Sequence, residues 1–468
     1  MSRRITVVGD SLLDRDVDGN AARLCPDAPA LVVDSYRKRA RPGGAALAAA
    51  LIAHDGVHVT LVTALADDDA GRELRALIEA AGVVVVDLGL TGSTPEKMRV
   101  LASGRTIVRV DAGNRNDPVG SFNDDARAAV AGSAAVLVAD YGRGMANAAL
   151  DVLTLEANAR PVVWDPHPHG AIPAVGTRLV TPNELELLGF VPAAEECRPS
   201  GTLARAAHAA RLLARRWQVH AVTTTLGERG AMLVHGDGPP LVVPTTPLRA
   251  TDTCGAGDRF AGAAAVALAD GAVMSEAVVH AVSMSSAFVA SGGAGAYGDA
   301  RGGTDSALDL CRERGGRSRA SEVAGRVHRH GGTVVATGGC FDLLHAGHIA
   351  TLRAARRLGD CLIVLVNSDA SVRRLKGNDR PLQPESDRAA LLEALDCVDA
   401  VEVFDEDTPV RSLEALQPDV FAKGGDYAID ELPEARALSR WGGQAVVLPY
   451  MADRSTTNLL LEARRRVH

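Results

Sequence analysis

The sequence predicts an α/β protein in two parts: a doubly wound parallel sheet carrying a small β lid, then a second, smaller Rossmann-like α/β domain. Short apolar runs such as Ile5–Val8, Val57–Val62 and Val162–Asp165 alternate with Ala-rich helical stretches, the rhythm of a parallel sheet. That rhythm breaks over Arg312–His330 and restarts after Gly332. Each part also has a glycine-bearing turn at the start of a helix, where open α/β sheets gather their ligands. At 468 residues the chain exceeds one ordinary domain. The expected division is a first domain over 1–311, a linker over 312–331 and a second domain over 332–468.

Hydrophobic residues make up 47% and charged residues 23%, the balance of a globular chain. Aromatics are only 3%, so the core is built mainly from Ala, Val and Leu. The net charge of −8 gives no basic footprint for nucleic acid. Met1-Ser2-Arg3-Arg4 precedes only a four-residue apolar run, so no signal peptide is expected. Apolar runs such as Ala45–Ala53 are too short to span a bilayer, and no membrane association is expected. Seven scattered cysteines without a CxxC pair suit reduced thiols in the cytoplasm.

In order, Ile5 to Asp10 reads as a buried first strand ending in a loop aspartate. Residues 14–42, rich in Asp, Arg and Pro with a β-like run at Leu31–Val33, read as the lid. Arg41-Pro42-Gly43-Gly44 opens a helix through about Ala53, and Val57–Val62 is the next strand. A helix over Gly71–Ala81 and a strand over Val83–Asp87 follow. Val136–Asp140, Val162–Asp165 and Leu179–Thr181 are short strands ending in polar loops, and Leu241–Val243 is a further β-type run. Helices over Ala261–Ala269 and Ser275–Ser291 close the domain. Arg312–His330, with six Arg against two Glu and little periodic apolar content, reads as a solvated linker with some helix. Beyond it come strands at Val334–Ala336, Leu362–Val366, Ala400–Phe404, Val420–Ala422 and Ala445–Leu448, with a helix over Ile349–Leu358.

The stretch Thr251-Asp252-Thr253-Cys254-Gly255-Ala256-Gly257-Asp258 organises the first domain. A Gly-Ala-Gly turn opening a helix leaves backbone N–H groups unpaired, where the helix dipole also favours negative charge. It can hold the charge of a phosphoryl group in flight. Asp258 follows the turn and is placed to take a proton from an attacking hydroxyl.

The first domain resembles the ribokinase-type sugar kinases over nearly its whole length. The resemblance rests on Asp10, Gly43-Gly44, Asp67 with Gly71, Asn183-x-x-Glu186, Thr225-x-Gly227-x-x-Gly230 and Gly255-Ala256-Gly257-Asp258, in that order. It implies a ribokinase-like fold, Asp258 as catalytic base, and Gly255, Ala256 and Gly257 as the anion hole. It further implies Asn183, Glu184, Leu185 and Glu186 near the phosphates, with Mg2+ near Glu186. Thr225, Gly227 and Gly230 then line ATP, while Asp10, Gly43 and Gly44 face the sugar. Arg41-Pro42-Gly43-Gly44-Ala45-Ala46, Lys97-Met98-Arg99-Val100 and Asp140-Tyr141-Gly142-Arg143-Gly144 resemble the heptose 7-phosphate kinases in particular. A phosphorylated sugar explains Lys97, Arg99 and Arg143 as sugar-site cations, since ammonium and guanidinium groups match phosphate oxygens. Leu47 stands where that family often has Asn, and His167 where Asp-Pro-Lys is usual.

The second domain carries Gly338-Gly339-Cys340-Phe341-Asp342-Leu343-Leu344-His345-Ala346-Gly347-His348. Two histidines three apart at a helix start reach one anionic group, and the helix terminus adds a favourable field. This HxGH stretch resembles the cytidylyltransferase-like nucleotidyltransferases, in which the histidines stabilise nucleotide phosphates during adenylyl-type transfer. The resemblance implies His345 and His348 as catalytic residues. It assigns Gly339, Cys340, Phe341, Asp342, Lys376, Ser455, Thr456 and Thr457 to the nucleotide. Residues 333–468 are similar to the adenylyltransferase half of the bifunctional heptose kinase/adenylyltransferases, whose usual Asn is Gly338 here.

Joined in this order, the halves imply ATP-dependent phosphorylation of heptose 7-phosphate at O1, then AMP transfer to heptose 1-phosphate. A separate heptose bisphosphate phosphatase acts between the steps, and the chain is expected to form a homodimer. Such activated sugars feed lipopolysaccharide core or glycosylated natural products. The sequence leaves open another phosphorylated sugar, CTP or GTP in place of ATP, and a non-catalytic sugar-binding module in the first domain.

Overall fold

The structure, a computed structural model, describes all residues except 1–3, 26, 29, 103–104, 114–116, 193–200, 246–251, 297–319, 425–432 and 450–468. The chain divides into two compact units. One comprises 1–190, 213–223 and 248–303; the other comprises 191–212, 224–247 and 304–468.

In the first unit, strands Leu179–Val180, Val162–Asp165, Ala135–Ala139, Arg4–Gly9, His58–Thr63 and Val84–Asp87 lie side by side in that order, all parallel. Val222 pairs on the outer side of Val180. Order and sequence disagree because each strand returns through a crossover, as a doubly wound sheet requires. Ile5, Val7, Leu137, Val163 and Trp164 are fully buried, as expected of a sheet covered on both faces. Helix Ala256–Ala269 packs on helices Ala45–His54 and Met274–Ala290, and small residues allow the close approach. Gly262 faces Ile52, where an added Cβ would come within 2.9 Å.

The lid is larger than the sequence suggested. Strands Leu31–Gly44, Ser11–Leu24, Glu96–Ala102 and Arg105–Ala112 form a four-stranded sheet in that order. The first and last pairs are antiparallel, and the central pair is parallel. Residues 96–112 were read for their cations. Their polar-apolar alternation (Lys97, Met98, Arg99, Val100) is also that of a half-exposed strand.

In the second unit, strands Ala400–Phe404, Cys361–Asn367, Val334–Gly339, Val420–Gly424 and Gln444–Leu448 make a parallel sheet in that order. The antiparallel pair Ala231–His235 and Leu241–Val243 continues it, with Leu241 opposite Val447. Of the stretch read as a linker, residues 312–319 lie outside the described residues. Ala320–Arg329 is a helix whose Ala320, Val323 and Ala324 enter the core with Val334, Ile363, Leu413 and Phe421. Apolar residues at 320, 323, 324 and 327 form one helical stripe, which the surrounding arginines obscure in the sequence. Among the described residues, no helix is long and apolar enough to cross a membrane.

Candidate active sites

Asp258 lies in the first turn of helix Ala256–Ala269, whose N-cap is Gly255 at φ 80°. That left-handed backbone favours glycine, and an added Cβ would also sit 2.9 Å from Leu47 Cδ2. The N–H groups of the first turn face no helical carbonyl, but that of Ala256, expected in the anion hole, is given to the Thr253 carbonyl at 3.2 Å, because the turn folds back on itself there. Asp252 braces the turn, its carboxylate accepting the N–H groups of Cys254 (2.9 Å) and Gly295 (3.0 Å). Leu47 is buried in an apolar cluster with Leu51 and Ala294, against which Cys254 and Phe288 pack. Its departure from Asn therefore fills core beneath the turn.

The Asp258 carboxylate is nearly enclosed, with the residue 7% exposed, and the Tyr141 hydroxyl donates to its Oδ1 at 2.7 Å. Burial pushes its pKa up to about 7, against the opposing hydrogen bond from Tyr141 and charge of Lys97. A carboxylate poised there can accept a proton near neutral pH. Burial, then the Asp258 and Asp165 charges, drives the Tyr141 phenol well above its usual range, so it remains a donor.

Asp10, expected to face the sugar, is 4% exposed, and its carboxylate accepts three backbone N–H groups at 3.0 Å, from Tyr141, Arg143 and Met145. It therefore holds the 141–145 loop. Gly44, at φ 61°, lets the chain pass the Asp10 carbonyl, which an added Cβ would meet at 2.5 Å. A Cβ on Gly43 would meet Leu12 at 2.5 Å. Lys97 Nζ stands 5.4 Å from the Tyr141 ring centroid. Arg99 is set into a charged cluster: it donates to Cys254 Sγ at 3.1 Å and lies 3.7 Å from both Asp14 and Asp16. Arg41, buried beside it, hydrogen-bonds Asp16 and sits 3.7 Å from Asp14. Arg143 lies close enough for its charge to act on Asp10. The His167 ring nitrogen Nδ1 accepts the His169 N–H at 3.2 Å.

Asn183 and Glu186 form a capping box at helix Glu184–Gly189: Asn183 Oδ1 accepts the Glu186 N–H, and Glu186 Oε2 accepts the Asn183 N–H, both at 2.9 Å. Glu184 is in the first turn, and the Leu185 side chain points to solvent at 84% exposed. Asp165, which accepts the Thr181 hydroxyl at 2.9 Å, is raised well above its ordinary pKa by burial, then by the Asp258 and Glu186 charges. Among the described residues no three His, Cys, Asp or Glu side chains gather closely enough to hold a metal ion, and Glu186 Oε1 lies outside the capping box.

Thr225 ends strand Ala221–Thr225, and Gly227 and Gly230 flank a short 3-10 turn at φ 62° and 91°. The turn closes by a bond from the Leu226 N–H to the Gly230 carbonyl at 2.8 Å. A Cβ on Gly230 would strike the Val243 carbonyl at 2.0 Å.

In the second unit, His345 caps helix Ala346–Arg356, its Nδ1 accepting the His348 N–H at 3.4 Å. The two imidazoles stack with centroids 3.9 Å apart, and Phe341 meets His348 edge-on at 5.4 Å. Burial, then the neighbouring His345, lowers the His348 pKa to about 4. Burial lowers His345 as well. Both rings are therefore neutral N–H donors at pH 7 in this form. Lys376 Nζ donates to Cys340 Sγ at 2.9 Å. Gly339 ends the strand.

Asp342, expected among the nucleotide contacts, is 3% exposed and turned inward. It takes Arg380 at 2.5 Å and the N–H groups of Leu382 and Gln383 at 2.6 and 3.2 Å. Arg388, which sequence reasoning passed over, is fully buried. It ties the carbonyls of Cys340 (2.6 Å), Asn367 (2.9 Å) and Gln383 (3.0 Å) to the Asp369 carboxylate. Ser455, Thr456 and Thr457 lie outside the described residues, as do Gly425, Asp426 and Tyr427. Tyr141, Asp165, Asp14, Asp16 and Arg41 were also missed as individual site residues, although Arg41 and Tyr141 fall within the motifs that resemble the heptose 7-phosphate kinases.

The pfkB family carbohydrate kinase model matches residues 2–299, and the cytidylyltransferase-like model matches 336–459. The chain is thus a ribokinase-like sugar kinase joined to a nucleotidyltransferase. It is 55% identical over 459 residues to the bifunctional protein HldE of Streptomyces coelicolor, covering 98% of this chain and 96% of that one. It is 36% identical over 475 residues to the bifunctional protein HldE of Azorhizobium caulinodans, covering 98% of each. A ribokinase from Thermotoga maritima superposes at a TM-score of 0.47 with 21% identity, covering 62% of this chain and 93% of that one. The chain belongs to the HldE family of bifunctional proteins.

Proposed function

We propose that this enzyme makes an ADP-activated heptose in two steps from heptose 7-phosphate. The observation that carries the kinase step is Asp258, a buried carboxylate with a pKa of about 7 beside a glycine turn at a helix start. The sugar O1 hydroxyl attacks the γ-phosphorus of ATP as Asp258 takes its proton. The bond from that phosphorus to the β–γ bridging oxygen breaks, and ADP leaves. The N–H groups of Gly255 and Gly257 meet the charge on the transferring group. Glu186 is the residue that would stand near Mg2+, which would supply charge neutralisation at the phosphates when bound. Lys97 and Arg143 serve the sugar phosphate, and Arg99 reaches it from the Asp14–Asp16 cluster.

After a separate phosphatase removes the 7-phosphate, a heptose 1-phosphate oxygen attacks the α-phosphorus of ATP in the second unit. The bond to the α–β bridging oxygen breaks, pyrophosphate leaves, and ADP-heptose forms. His345 and His348 donate N–H bonds to the phosphates, while Lys376 adds positive charge. Thr225, Gly227 and Gly230 line the kinase nucleotide, and Gly339, Cys340 and Phe341 that of the transferase. The enzyme acts in the cytoplasm as a homodimer. Exposed Leu31, Tyr36, Ile107, Val108 and Val110 on the lid sheet favour self-association there.

Incubation with synthetic heptose 7-phosphate and ATP, CTP or GTP, with products identified by mass spectrometry, tests this reading. Heptose bisphosphate from ATP is the expected first product. Phosphorylation of other sugar phosphates but not of heptose 7-phosphate would replace the substrate assignment. Absence of any kinase product would reduce the first domain to a binding module.

A further inference from the structure

We propose that Tyr141 is a positioning residue for phosphoryl transfer: its phenol pins one oxygen of Asp258 and thereby aims the other at the sugar hydroxyl. The inference rests on the reading of Asp258 as the base. A carboxylate turns readily about its terminal torsion, so an unpinned Asp258 would spread its proton-accepting lone pairs over many directions. The Tyr141 hydroxyl at 2.7 Å from Oδ1 removes that freedom and leaves Oδ2 for the substrate.

Tyr141 is itself held from several sides. Its N–H, with those of Arg143 and Met145, is fixed on the Asp10 carboxylate. Its ring lies beside Gly44, where an added Cβ would stand 3.4 Å from Tyr141 Cδ2. Lys97 Nζ approaches the ring at 5.4 Å from strand Glu96–Ala102. A phenylalanine would fill the same space, so the hydroxyl's contribution is the bond to Asp258. Asp10 thus acts on the base through Tyr141, which gives its three backbone contacts a catalytic consequence.

The test uses pH. Besides Tyr141, the charged and titratable groups that face Asp258 are Lys97 and Asp14 from the lid strands. Asp165 faces it from the strand end, and Cys254, which acts on Tyr141, precedes the turn. Tyr141 donates to the ionised carboxylate and so lowers its pKa; removing the donor raises it. In the full-length enzyme, Tyr141→Phe moves the acid limb of kinase kcat/KM upward by about one pH unit, consistent with one charge-assisted hydrogen bond. Activity falls roughly tenfold at pH 6 and recovers substantially at pH 9. Placing 3-fluorotyrosine at 141, a stronger donor of nearly equal size, moves the limb downward. Adenylyl transfer from supplied heptose 1-phosphate serves as the fold control in every variant. An unmoved limb in both variants, whether with full activity or with a loss equal at every pH, overturns the proposal. Asp258→Asn separates the two readings: if it keeps turnover, Asp258 is not the base; if it abolishes turnover while the limb stays fixed, only the Tyr141 inference fails.

Discussion

Asp258 shows how one side chain trades stability for reactivity. Its ordinary pKa of 3.8 is raised to about 7 by burial. The folded state therefore gains from this group below pH 3.8, where it is neutral in both states, and loses that gain as pH rises through about 7. Asp258→Asn removes the titration. Its melting temperature relative to wild type is expected to rise between pH 4 and 7 and stay higher above, measured by calorimetry across that range. Kinase turnover in the same variant falls on the order of 10²–10⁴-fold, as loss of a general base requires. In the second unit, His348→Ala should lower adenylyl transfer about 10²–10³-fold while changing ATP affinity little, because a donor to developing charge acts on kcat rather than on uniform binding. Steady-state kinetics with titrated ATP decides it. A rise in KM alone would make His348 a ground-state contact.

At the scale of elements, the motif positions were more legible than the architecture around them. The glycine turns, HxGH and the alternation of strand and helix are local patterns, and local patterns survive without tertiary context. Asp165, Asp14 and Arg41 were not legible as site residues because their significance comes from what the fold brings against them. Asp10 and Asp342 were legible as special, but their carboxylates turn out to hold backbone loops. Helix Ala320–Arg329 was obscured by its charge. Its burial yields a prediction: Val323→Asp places a carboxylate among Ile363, Leu413 and Phe421 and should cost a few kcal/mol in the second unit. Adenylyl transfer should be lost at a lower temperature than in wild type, measured by residual activity after a temperature ramp. An unchanged loss temperature would mean that the helix does not support the second unit.

For the whole molecule, the claim is that one chain holds two separate phosphate chemistries joined through a diffusible intermediate. The family match spans nearly the full length, so the order kinase then transferase belongs to the family. What the sequence alone could not supply is which carboxylates are ionised and which histidines are neutral, since both depend on burial that only the fold creates. The most direct test follows products over time by mass spectrometry in wild type, Asp258→Asn and His348→Ala, each given heptose 7-phosphate, ATP and a heptose bisphosphate phosphatase. Wild type should form heptose bisphosphate and then ADP-heptose. Asp258→Asn should stop at the starting sugar yet make ADP-heptose from supplied heptose 1-phosphate, and His348→Ala should accumulate heptose 1-phosphate. If either variant blocks both half-reactions while still folded, or neither blocks its own, two independent active sites on this chain are contradicted.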